Sequence, residues 1–86
     1  MWKIVFLRRA TKELQKLDPA IQGLITSYVS MLERHPDPLS LAKPMKGEWV
    51  GCYRFRVAKY RLLCEPFEDY LLIEVIRVGK RDSVYD

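Results

Sequence analysis

The spacing of hydrophobic positions changes period along the chain, and each change predicts an element. Trp2 to Leu7 (WKIVFL) is rich in β-branched and aromatic residues and bounded by charge, which predicts a strand. Ala10, Leu14 and Leu17 then recur at helical spacing. Asp18-Pro19 closes that short helix and opens a second, with Asp as the cap and Pro at the first helical position. In the second helix Ile21, Leu24, Ile25, Tyr28, Val29 and Leu32 line one apolar stripe, and the helix ends near Arg34, before His35-Pro36.

A Pro-rich loop follows, from His35-Pro36-Asp37-Pro38 through Lys43-Pro44 to Lys46-Gly47. From Trp49 to Val57 the period becomes two: Trp49, Tyr53, Phe55 and Val57 fall on one face, and Cys52, Arg54 and Arg56 on the other. After a break at Ala58-Lys59, Tyr60, Leu62 and Cys64 continue the apolar face and Arg61 the charged one. Pro66-Phe67-Glu68-Asp69 predicts a turn. Tyr70 to Val78 is nearly apolar on both faces, as an interior strand would be. The order is β-α-α-β-β-β, an α+β fold in which an antiparallel sheet carries a two-helix hairpin on one face and leaves the other partly open.

Length and composition narrow the class. At 86 residues the chain is expected to be a single domain, 1–86, with 49% apolar and 12% aromatic residues to fill one core. Its apolar runs fall well short of a membrane span and its start does not read as a signal peptide, so the expected location is cytoplasmic. Cys52 and Cys64 lack metal-ligand spacing, and neither a metal, a cofactor nor a disulfide is expected.

Charge adds the functional signal. The net charge is +4, yet Lys43 to Arg61 alone holds Lys43, Lys46, Arg54, Arg56, Lys59 and Arg61 against one acid, Glu48. A two-residue connection at Ala58-Lys59 would set Arg56 directly opposite Arg61, and like charges opposed across a ladder destabilise it. Two readings compete: basic residues that guard a sheet edge against aggregation, or a site for a phosphate. Arginine keeps its charge at any working pH and presents a planar fork matched to phosphate, properties a gatekeeper does not need.

Were the ligand RNA, cleavage would need a proton acceptor for the 2′-OH, stabilisation of the phosphorane and a proton for the leaving oxygen. His35, the chain's one histidine, stands at a helix end and reads as a cation complementing the helix dipole. Catalysis would then fall to Arg and Lys for charge and to a tyrosine or carboxylate for protons, with Tyr85 the candidate or else a frayed terminal aromatic.

Taken together, KLD at the helix junction, HPDP, KPMKG, YRFRVAKYRLL and the terminal VGKRDSVYD resemble the RelE/ParE superfamily of toxins over essentially the whole chain. That resemblance implies a cognate antitoxin and, in the RelE branch, cleavage of mRNA in the ribosomal A site. It implies catalytic or substrate-holding roles for Arg54, Arg56, Arg61, Arg81 and Tyr85, and contacts to RNA or rRNA for Lys43, Lys46, Lys59 and Lys80. The chain departs from the best-known member in having Arg where two strand lysines stand, which makes a general-base role at Arg54 or Arg56 unfavourable. Two alternatives are a ParE-like inhibitor of DNA gyrase and a non-catalytic homologue that binds only antitoxin or nucleic acid.

Overall fold

In the computed structural model, which describes residues 1–80, the four predicted strands and a short fifth form one sheet. They are β1 (Lys3–Phe6), β2 (Lys43–Pro44), β3 (Tyr53–Val57), β4 (Tyr60–Phe67) and β5 (Leu72–Lys80), in the order β1-β5-β4-β3-β2. The helices are α1 (Arg8–Gln15) and α2 (Pro19–Arg34). β3, β4 and β5 form the expected antiparallel meander. β1 pairs parallel with β5, and β2, drawn from the Pro-rich loop, pairs antiparallel with β3, so the sheet is mixed. β5 lies between β1 and β4, which explains a sequence nearly apolar on both faces.

The helices bury one face. Ala10, Ile25, Val29 and Leu32 pack with Phe55, Val57, Leu62, Cys64, Ile73, Val75 and Val78 in one cluster, and the Tyr28 ring meets Phe55 edge-on at 6.2 Å. Strand parity accounts for the strand members: Phe55, Leu62 and Val78 share a register row, as do Cys64 and Val75. An extra residue on β5, Ile76, bulges between those rows and keeps Val75 and Val78, three apart, on the same side.

Several boundaries differ from the sequence reading for local reasons. Trp49 lies in a short 3₁₀ turn, Gly47–Trp49, and β3 begins only at Tyr53, because Gly47 (φ 68°) and Gly51 (φ 96°) bend the chain through the left-handed region. β4 runs on through Pro66 and Phe67; Pro66 lies past the end of the β3 ladder, where its missing N–H leaves no pairing unmade. The turn shifts to Glu68–Tyr70, leaving Tyr70 and Leu71 exposed instead of opening β5. Leu24 is 52% exposed despite its place in the apolar periodicity. Asp18 and Pro19 hold the predicted cap and first-turn positions, but the Asp18 side chain makes no capping bond. Gln22 Nε2 secures the junction by donating to the carbonyl of Leu17 at 2.7 Å.

Two carboxylates close the sheet on the β1 side. Ile4 N–H, on the outer edge of β1, donates to Glu33 Oε2 of α2 at 2.9 Å. β1 ends at Phe6 while β5 continues, and there Val78 N–H donates to Glu13 Oε1 of α1 at 2.8 Å. Arg77 Nε donates to the same carboxylate at 3.0 Å. Edge donors that would otherwise invite strand pairing are thus covered by helices of the same chain.

Candidate nucleic-acid interface

The uncovered face is set by the hairpin β3-β4. Val57 and Tyr60 close a two-residue turn at Ala58-Lys59, and Ala58 takes a left-handed conformation (φ 54°) to make it. Arg56 therefore stands directly opposite Arg61, as parity predicts. One row further from the turn, Lys43 of β2 stands opposite Arg54 of β3. That row continues through Leu63 of β4 to Arg77 of β5. Two cation-on-cation pairs thus occupy adjacent rows of one face, about 7 Å apart at the usual rise per residue.

This arrangement bears on edge protection. The outer strand on this side is β2, whose Lys43-Pro44 supplies both a charge and a residue that cannot extend a ladder. Arg54 lies inside the sheet, between β2 and β4, where there is no edge to guard.

Exposure divides the predicted residues. Arg56, Lys43, Lys46, Lys59 and Lys80 are exposed and Arg54 is half-buried. Arg61, expected to project openly, is only 7% exposed, and its neighbour on the same face, Leu63, is fully buried. The face is therefore a partly sheltered surface with a basic floor. Lys59 sits at the hairpin turn and Lys80 at the end of β5, opposite Tyr60, so both lie at the turn end of the basic rows. Lys46 is carried by the β2–β3 connection. Arg81 and Tyr85 lie outside the described residues.

His35 ties the end of α2 to the loop that follows it. Its Nδ1 accepts the N–H of Asp37 at 2.9 Å. The cysteines are unreactive by environment. Burial, and then the neighbouring Cys52, pushes the Cys64 thiol well up; burial, and then the charge of Glu65, raises Cys52. Among the described residues no three His, Cys, Asp or Glu side chains gather closely enough to hold a metal ion. No helix of those residues is long and apolar enough to cross a membrane.

Sequence reasoning missed Glu13, whose double role depends on where β1 stops, and the acidic pair Glu65 and Glu74, opposed across β4 and β5 on the open face. Leu63 could have been found: Leu62-Leu63-Cys64 is apolar on both parities, which signals a strand buried on both sides there.

A helical hairpin on one face of a mixed five-stranded sheet, with opposed cations on the other, defines a RelE-like α+β toxin. The chain belongs to the RelE/ParE superfamily: residues 4–85 match the family described as "ParE toxin of type II toxin-antitoxin system, parDE". It is similar to Toxin RelG of Mycobacterium tuberculosis, with 26% identity over 98% of this chain and 95% of that protein. The fold matches the toxin-antitoxin complex RelBE2 of M. tuberculosis at a TM-score of 0.84 and 28% identity, covering 93% of this chain and 98% of that one. The intact Escherichia coli RelBE complex matches at 0.67 and 26%, covering 95% and 99%.

Proposed function

We propose that this toxin of a type II toxin-antitoxin system is a ribosome-dependent endoribonuclease that cleaves mRNA in the A site and is neutralised by a cognate antitoxin. The observation that carries the reading is the direct opposition of Arg56 and Arg61 beside a second such pair, Lys43 and Arg54. A phosphate lying over either pair would accept from two cations at once, one from each strand.

In the proposed reaction the 2′-oxygen attacks the adjacent phosphorus, its proton passing to a base, and the 5′-oxygen leaves with a proton supplied in return. Arg61 and Arg81 neutralise the phosphorane, Arg54 and Arg56 hold the flanking backbone, and Tyr85 stands nearest the nucleophile or base. Charge stabilisation by guanidinium makes the chemistry metal-independent. Lys43, Lys46, Lys59 and Lys80 meet rRNA phosphates, and the site of action is the cytoplasm.

Controlled expression followed by primer extension tests this. Cuts in phase with codons are expected, and should disappear in Arg81→Ala and Tyr85→Phe. Because Arg61 is buried, Arg61→Lys is the informative variant there, read beside its melting temperature. Uncut messages during growth arrest would overturn the reading. A second reading, inhibition of DNA gyrase, is favoured by the ParE description of the matching family and would show as SOS induction with intact messages.

A further inference from the structure

The solvent face of α1 is made almost wholly of cations. Residues 8–16 hold Arg8, Arg9, Lys12 and Lys16 against one acid, Glu13, in a chain whose net charge is +4. At the helical repeat these four fall within an arc of about 100°, away from the side that carries buried Ala10 and half-buried Leu14. All four are exposed, and Gln15 beside them is neutral. Glu13 does little to neutralise the stripe. Its carboxylate is turned to Val78 N–H at 2.8 Å and Arg77 Nε at 3.0 Å, and it meets Arg9 Nε only at 3.9 Å. Among the described residues Arg8, Lys12 and Lys16 are in no ion pair.

Helix physics works against this stripe. Arg8 and Lys12, and again Lys12 and Lys16, are like-charged i,i+4 pairs, which destabilise a helix. Arg8 and Arg9 occupy the first turn, which holds no acid and where the helix dipole disfavours a cation. Solubility does not demand such charge: α2, with sixteen residues, carries only Glu33 and Arg34, both in its last turn, and exposes Gly23, Thr26, Ser27 and Ser30. The stripe also adjoins the basic side of the sheet. α1 packs along β5 where β1 has ended, and Glu13 and Arg77 meet round that edge.

Arg8, Lys12 and Lys16 succeed one another with a rise of about 6 Å each, and no exposed apolar residue stands among them. A protein partner would need apolar or aromatic anchors at the centre of its contact, whereas a chain of evenly repeated phosphates needs only cations. We propose that α1 is a second RNA-binding tract, in which Arg8, Arg9, Lys12 and Lys16 take backbone phosphates of a strand that passes round the β5 edge from the open face. The continuity with the open face rests on the function proposed above; the α1 tract does not.

The test uses the full chain and a fluorescent, 2′-O-methylated RNA sixteen-mer, which cannot be cut by attack of its 2′-oxygens, in anisotropy titrations over a range of salt. Lys12→Gln/Lys16→Gln should bind about tenfold more weakly at low salt, with a log-log slope shallower by about 1.4, the share of two single-strand phosphate contacts. It should melt no lower than wild type, because two like-charged pairs are removed. Lys3→Gln/Arg34→Gln, which removes two exposed cations elsewhere, should keep the wild-type slope. The proposal is overturned if the α1 variant keeps the wild-type slope, or if the control variant loses as much. It is also overturned if a sixteen-residue polyglutamate binds as tightly as the RNA and loses affinity equally in the α1 variant, since the tract would then serve an acidic protein. Adding Arg56→Thr to the α1 variant should deepen the slope loss to about 2.1. If that addition changes nothing while the α1 loss holds, the open-face reading fails and the α1 tract stands.

Discussion

The two faces of the sheet are built on opposite rules. Under the helices, apolar residues share register rows, and helix carboxylates close the adjoining edge: Glu13 meets Val78 N–H and reaches the open-face Arg77 Nε, and Glu33 meets Ile4 N–H. On the open face, cation is set against cation and carboxylate against carboxylate in successive rows. The first face is arranged for the chain's own stability. The second brings like charges together across its strands, and that contrast says more about where a ligand would sit than net charge does.

Substitutions on the covered face should therefore be costly, and those at the exposed charged positions of the open face, such as Arg56, nearly free. Phe55→Ala removes a fully buried ring that touches Tyr28, and should destabilise by about 4 kcal/mol in denaturant unfolding, enough to endanger folding of so small a domain. Glu13→Ala leaves Val78 N–H and Arg77 without their carboxylate and should cost about 2 kcal/mol, lowering the melting temperature by about 10 °C. If Glu13→Ala proves neutral, the edge closure described here is not a stabilising device.

The covered face also predicts a response to pH. Burial raises the folded-state pKa of Cys64, so its contribution is fully present below the unfolded thiol's pKa of about 8.5 and is lost as pH rises above it. Stability should fall by about 1.4 kcal/mol per pH unit there. Tyr28, raised by burial and then by Cys64, adds to the slope above about pH 10. Cys64→Ala should be less stable at neutral pH but lose its share of that slope, as melting curves from pH 7 to 10 would show.

How much of this could be read from residues alone follows from the range of each interaction. The hairpin was legible because alternation and a two-residue connection are local: Val57 faces Tyr60 and Arg56 faces Arg61 in the register that parity requires. The helices were legible for the same reason. Pairing of β1 with β5 joins residues about seventy apart through parallel ladder bonds, and no local pattern announces it. Glu13 and Glu33 find their edge donors only once that pairing exists. Burial of Arg61 likewise depends on how the whole face is enclosed, whereas the alternation of YRFRV and YRL fixed only which side it takes.

The open face supplies the smallest effect on stability and the most telling one. Arg56→Thr removes one member of a like-charged pair and adds a residue suited to strands, so it should stabilise the fold by about 0.5 kcal/mol. The most direct test of the account is to measure this variant's melting temperature together with the salt dependence of its single-stranded RNA binding. The account predicts a melting temperature equal to or above wild type, weaker binding, and a log-log salt slope shallower by about 0.7, the share of one phosphate contact. A variant that melts lower and binds RNA with the wild-type slope would contradict it, because Arg56 would then serve the fold and not a phosphate.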